Sequence, residues 1–218
     1  YILVPEDSPG LRFVEYLPPP SGTPDTLETS TLHFEKDSVY EESFYSPYNW
    51  VWRTSQEGEV RIKIPEIDTS SSPLVRLTFT AFSYDPVEIF INGISYGSYY
   101  FSRYLPHTIE ISLPPGRLLE ENTIGWECAS NVSLDWIEVT AGRKRLSNGY
   151  YCVFTGEGGK KTYRVDGFLL KDLMVVRKDG YMIKNVQVEE REGRFSVIFS
   201  DTIVCPSTSV SYTHLTLP

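Results

Sequence analysis

From Thr31 onward the chain alternates in twos. Val60, Ile62 and Ile64 fall on one side, with Arg61 and Lys63 on the other. Val75, Leu77, Phe79 and Ala81 repeat the pattern against Arg76, Thr78 and Thr80, and Val87, Ile89 and Ile91 follow. Ile109, Ile111 and Leu113 form another run, then Ile124, Trp126 and Cys128, then Ser133–Val139. A period of two sends successive side chains to opposite faces, so each run predicts a strand with one buried face. Asn92-Gly93 separates Val87–Ile91 from Ile94 and Tyr96. Both turn residues tolerate positive φ, which a two-residue hairpin turn requires. Pro, Gly, Ser or Asn breaks the runs, and no long 3.6-residue periodicity appears; Leu118-Leu119-Glu120 is the one candidate helical turn. Many short strands at this spacing predict an all-β fold, a jelly-roll-like β-sandwich over residues 31–142.

A small β-rich unit is expected over 143–205, after the basic junction Arg143-Lys144-Arg145. Its strands are Tyr150–Phe154, Thr162–Val165, Leu173–Arg177, Met182–Val188 and Arg194–Phe199, with turns at Gly156–Gly159, Asp179-Gly180 and Glu192-Gly193. About 60 residues give such a unit a marginal core. Residues 1–30 contain six prolines, three of them at Pro18–Pro20. Proline fixes φ and donates no backbone hydrogen bond, so this segment is expected to be an extended linker or the tail of a preceding domain. Residues 206–218 are expected to be a truncated end. Within them, Val210–Pro218 resembles the translation of a transposase adapter used in sequencing libraries, so natural sequence is expected to stop near Ser209.

A net charge of −9 argues against nucleic acid as partner, because phosphate binding needs cations to displace counterions. No apolar run approaches the ~20 residues of a membrane helix. Hydrophobic residues at 40%, including 15 tyrosines, suffice for a core and exclude wholesale disorder. The three cysteines, Cys128, Cys152 and Cys205, form no CxxC pair. With His214 in the suspected adapter, only His33 and His107 remain, too few for a transition-metal site.

Catalytic constellations are scarce. Cys152 with His107 is the only Cys/His combination to weigh, and Cys152 lies within an apolar strand, where thiols act as inert filler. Gly156–Thr162 lacks the spacing of a phosphate loop. Glu41-Glu42 and Glu189-Glu190 are adjacent pairs that would point to opposite strand faces. Asn131-Val132-Ser133 has the pattern of a glycosylation sequon. Two features point to binding. Tyr45, Tyr48, Trp50 and Trp52 cluster ahead of one strand, and Tyr96, Tyr99, Tyr100, Phe101 and Tyr104 cluster after Asn92-Gly93. Such aromatics stack on sugar rings, cap a core or form an interface. Asp135 and Glu138 flank Trp136, and their odd separation predicts opposite faces. Either carboxylate could serve a structural Ca²⁺.

Several segments, in this order, carry a family resemblance. They are Phe34–Asp37, Asn49–Trp52, Val87–Gly93, Leu134–Val139, Arg143–Leu146, Tyr151–Phe154, Tyr163–Phe168, Leu173–Val176, Asn185–Val188 and Phe195–Thr202. The series resembles the β-rich region that precedes the peptidase domain in bacterial gingipain-type cysteine peptidases, and spans roughly Thr31 to Thr202. The resemblance implies a secreted or cell-surface bacterial parent with its catalytic Cys and His in a downstream α/β domain. No family catalytic motif occurs here, so no catalytic residue is carried over. The expected role is a non-catalytic accessory module, structural or pro-region-like, with the peptidase domain as partner in cis. The alternative is a carbohydrate-binding jelly roll on a cell-surface protein, with glycans as partners through Trp50, Trp52, Tyr96, Tyr99, Tyr100 and Tyr104.

Overall fold

Backbone amides and carbonyls must find partners wherever they leave water, and among the described residues strand pairing is the main source of them. The computed structural model describes residues 14–16, 22–42, 50–156, 158–177, 181–203 and 209–213. Pro18–Pro20, Tyr45, Tyr48, Asp179-Gly180, Cys205 and His214 lie outside the described residues. The strands, in chain order, are β1 (Val14–Tyr16), β2 (Leu27–Glu35), β3 (Val39–Tyr40), β4 (Trp50–Val51), β5 (Arg53–Lys63) and β6 (Leu74–Ala81). Then come β7 (Val87–Ile91), β8 (Ile94–Tyr99), β9 (Pro106–Ser112) and β10 (Glu121–Lys144). The last group is β11 (Tyr151–Thr155), β12 (Gly159–Phe168), β13 (Met174–Arg177), β14 (Tyr181–Ile183), β15 (Gln187–Arg191), β16 (Arg194–Ile203) and β17 (Ser209–Thr213). The described residues contain no helix, and the fold is all-β. Leu118-Leu119-Glu120 is not a helical turn. Asn122 holds that segment open instead: its Oδ1 accepts from the Leu119 amide (2.8 Å) and its Nδ2 donates to the Leu119 carbonyl (2.6 Å).

The chain divides into two units, Thr29–Arg143 and Tyr1–Glu28 with Lys144–Pro218. In the first, a curled sheet runs β8-β7-β10-β6-β9, with β2 and β5 also paired to β10. The Asn92-Gly93 turn joins β7 to β8 as expected, with φ of 50° and 75° and Ile91 opposite Ile94. The two runs at Ile124–Cys128 and Ser133–Val139 are parts of one 24-residue strand, β10. Its register shifts between Glu127 and Val132, and again between Leu134 and Ile137. Bulges of this kind bend a strand, so one half of β10 pairs with β5 and β7 while the other pairs mainly with β6. The sheet thus curls into a sandwich over its own apolar face. That core contains Val60, Ile62, Leu77, Phe79, Ile89, Ile124, Trp126, Leu134 and Ile137.

Trp126 shows how closely the halves fit. It stands opposite Gly58 on β5 and Ile89 on β7. Its indole meets Phe79 edge-on at 5.6 Å and donates to the Ser55 carbonyl (3.4 Å). A Cβ on Gly58 would fall 2.3 Å from the indole Cζ2, so glycine is required there by close approach.

The second unit has two sheets, β1-β14-β13-β17-β11 and β12-β16-β15. Between them Cys152, Phe154, Tyr163, Val165, Val175, Val197 and Phe199 form one core. Glu192-Gly193 turns β15 into β16, with φ of 53° and 74°. The run expected as one strand over Met182–Val188 is two strands, interrupted where the Val186 amide bonds back to the Lys184 carbonyl (2.9 Å). Residues 25–30, within the proline-rich segment of the sequence, are structured. Asp25 bridges to Tyr163, and β2 starts at Leu27.

Arg145, one of the three junction cations, is a core residue at 2% exposure. Its guanidinium lies 4.7 Å from the Phe154 ring centroid and 5.1 Å from that of Tyr163. It donates to the Asp25 carbonyl (2.7 Å) and to Asp25 Oδ2 (3.1 Å). Burial alone raises the Asp25 pKa, but the Arg145 hydrogen bond, the Leu27 amide and the charges of Arg145 and Lys161 outweigh it and hold the carboxyl below its usual range.

Two stability measurements follow. Gly58→Ala should destabilise the chain by about 1–3 kcal/mol in urea denaturation, because the indole cannot yield without unpacking Phe79. Asp25→Ala leaves a buried guanidinium without counter-charge and should cost about 3 kcal/mol at pH 7. A depressed carboxyl contributes stability above its unfolded pKa of about 4 and loses it as pH falls through the folded value. The gap between wild type and Asp25→Ala should therefore shrink in acid.

Candidate functional site

The outer face of the β5–β10–β7 sheet carries an open groove of about 570 Å³. Register sets its floor. Gly125 on β10 lies between Glu59 on β5 and Phe90 on β7, and in the adjacent row Glu127 lies between Glu57 and Glu88. Residues directly opposite share a face, so these two rows point outward while Gly58, Trp126 and Ile89 point inward. Arg53 also lines the groove and donates Nη1–H to the Glu59 carbonyl (3.2 Å). Thr123 and Gly93 complete one end. That end is held firmly: Asn92 and Thr123 exchange backbone and side-chain hydrogen bonds at 2.9 Å, and Asn92 Nδ2 also donates to Asn122 Oδ1 (2.9 Å). None of these groove residues stood out in the sequence as a binding residue.

The described aromatic candidates do not line this groove. Trp50 on β4 is half exposed, with Tyr40 on β3 at 5.2 Å between ring centroids. Trp52, Tyr96 and Tyr99 pack against the sandwich core. Tyr100 is 76% exposed. Tyr104, at a positive φ of 61°, carries the Arg103 guanidinium 4.6 Å above its ring and accepts a hydrogen bond from it.

Asp135 and Glu138 are not on opposite faces as their spacing predicts. The shift between Leu134 and Ile137 puts both of those residues in the core and undoes the alternation between them. His33 on β2 reaches Glu138 through Nδ1 (3.2 Å) and Glu35 through Nε2 (3.1 Å), and its charge also acts on Asp135. Its ring lies 5.6 Å from Trp136. Burial pushes the Asp135 carboxyl up to about 6; Glu35 and Asp37 add to the shift and His33 opposes it. The hydrogen bond to Glu35 raises His33, Glu138 adds to it, and burial acts against both. Glu138 is also 3.8 Å from Arg76. Calcium takes six to eight oxygens. Two carboxyls, one engaged by cations, fall short of that, and the described residues hold no group of three or more His, Cys, Asp or Glu side chains fit for a metal ion.

The remaining candidates have ordinary surroundings. Cys152 is buried in β11, and burial pushes its thiol up to about 12. His107 accepts the Ser102 amide at Nε2 (3.1 Å) and lies beside Phe101. Glu189 pairs with Arg164 (2.7 Å), and Ser133 of the sequon pattern is buried against Thr54 (2.7 Å). Gly159 opens strand β12. Among the described residues no helix is long and apolar enough to cross a membrane.

The carboxyl and imidazole around β2 set a pH dependence. Asp135 titrates near 6 folded and near 4 unfolded, so the stability tied to its protonated form is present in acid and lost as pH rises through 6. His33, with a raised folded pKa, contributes stability below about 6.5 and loses it as pH rises through the folded value. The Tm should fall from pH 5 to pH 8. Asp135→Asn should raise it at pH 8 and leave it unchanged at pH 4, as read by circular dichroism melts.

No family model matches the chain, and no curated protein matches it in sequence. Solved structures do. The dimeric latent form of PorU from Porphyromonas gingivalis superposes with a TM-score of 0.61 at 13% identity, covering 87% of this chain and 20% of that one. This chain thus spans about a fifth of PorU. The CBM36-1 domain of a multidomain xylanase from the hindgut metagenome of Trinervitermes trinervoides gives 0.35 at 12% identity over 50% of this chain and 96% of its own. A carbohydrate-binding module CBM36 in complex with calcium and xylotriose gives 0.33 at 12%, over 50% and 98%. At such identities the likeness to PorU is one of fold, reaching across most of the chain, and the fold is that of a β-sandwich.

Proposed function

We propose that this chain is a non-catalytic accessory region, structural or pro-region-like, of a secreted gingipain-like cysteine peptidase, and that its partner is the peptidase domain in cis. The observation that supports the reading most is the extent of the match to latent PorU: 87% of this chain, and only a fifth of that protein. The ordered series of segments from Phe34 to Thr202 points the same way. The state of Cys152 agrees with a non-catalytic role. A thiol held near 12 supplies almost no thiolate at neutral pH, and thiolate is the nucleophile. Purified alone, the chain should cleave neither casein nor a panel of fluorogenic peptides. Thiol-dependent cleavage that disappears in Cys152→Ala would overturn the proposal. Sequencing onward in the source gene tests the partner: an α/β domain with a Cys and a His supports it, and an unrelated domain sinks it.

A second reading, a carbohydrate-binding module of a cell-surface protein, is favoured by two features of the Thr29–Arg143 unit. Trp50 and Tyr100 are large aromatics left in solvent, and an open groove with an aromatic wall lies on one sheet face. Binding to a glycan array above background supports it; a blank array counts against it.

A further inference from the structure

We propose that the outer face of β10 between β5 and β7 is a binding groove for a neutral saccharide segment, which lies over Gly125 and against the ring of Phe90. The proposal deepens the carbohydrate reading above and rests on it, but places the site away from Trp50 and Tyr100.

Gly125 carries the argument. It occupies a position paired on both sides, where a β-branched or aromatic residue would stabilise the sheet. Its backbone does not need glycine, because its φ is outside the left-handed region. Its surroundings do not need glycine either. An added Cβ would meet the Gly58 carbonyl oxygen and Phe90 Cβ at 3.5 Å, which is ordinary contact. What a larger side chain would do is fill the groove. A strand glycine with no backbone or packing cause marks a place where something else approaches the sheet. One row along, Glu57, Glu127 and Glu88 stand directly opposite one another across three strands, an arrangement that repels. Two destabilising choices side by side on one face are the trade of stability for binding that functional surfaces make.

The lining selects the ligand class. The Arg53 guanidinium reaches back along its strand to the Glu59 carbonyl, and Arg61 Nε lies 3.9 Å from Glu59 Oε1. Arg61 stands against the Glu59 carboxylate, while Arg53 offers a donor and Glu57 and Glu127 offer acceptors along the same groove. A partly buried Phe90 ring adds an apolar platform. An array of hydroxyls with a C–H face meets both requirements, and a bare cation would meet Arg53. The volume of about 570 Å³ falls within the ~300–1,000 Å³ of small-ligand clefts and suits a short segment of a chain. The end wall at Asn92-Gly93 is already fixed by hydrogen bonds to Thr123, so little order has to be gained on binding.

The test uses the full chain and calorimetric titration with xylotriose, cellotriose and mannotriose, with a lysine-rich nonapeptide as the competing class. The expected result is binding of at least one trisaccharide that weakens more than ten-fold in Gly125→Val and in Phe90→Ala. The Tm of Gly125→Val should equal or exceed wild type. Trp50→Ala and Tyr100→Ala should bind as wild type does. Saccharide binding that survives Gly125→Val but fails in Trp50→Ala or Tyr100→Ala overturns the groove and keeps the carbohydrate reading. No saccharide binding overturns both. Binding of the nonapeptide in place of any saccharide, abolished by Gly125→Val, overturns the ligand class.

Discussion

One strand, β10, is hydrogen-bonded to four others, and the Thr29–Arg143 unit depends on its doing so. A regular strand offers two edges and takes two partners. β10 takes more because its register breaks twice, and each break re-aims the backbone toward a new neighbour. The first break lets β5 follow both halves of the strand, which closes the curl over Phe79 and Trp126. The second returns Ile137 and Val139 to the core after Leu134, so the apolar face is continuous although the alternation is not. The same geometry creates the outer surface. The row Glu59–Gly125–Phe90 lies on the outward face of that sheet, where the missing side chain of Gly125 leaves the groove open.

The second unit solves a different problem. It has fewer buried apolar residues, and at its centre it places a cation. Arg145 is tolerated there because two ring faces and both the carbonyl and the carboxylate of Asp25 take up its charge. Its Nε has no hydrogen-bond partner among the described residues, so the arrangement still carries a cost.

Local signals were legible where they were complete in themselves. Asn92-Gly93 and Glu192-Gly193 needed only their own φ preferences to make turns, and the runs at Val60–Ile64 and Val75–Ala81 needed only their period to show which face is buried. Signals that depend on a partner strand were not legible. The separation of Asp135 and Glu138 gave the wrong faces, because a bulge is a property of two strands and leaves no mark in the spacing of one. Arg145 read only as part of a basic junction, since nothing nearby in sequence announces Phe154, Tyr163 and Asp25 as its neighbours. Gly125 read as one more glycine among 15, and its meaning appeared only once Phe90 and Glu59 stood beside it.

By itself the sequence determined that this chain folds as strands and where most of them turn. These follow from local sterics and from the period of two, which act within a few residues. Tertiary structure alone decided that two runs join as β10, that His33 reaches Glu138 as well as Glu35, that Arg145 is interior, and that the open groove forms over Gly125 and not at the tryptophans. Each of these is a pairing between residues far apart in the chain, and the energy that selects it belongs to the pair.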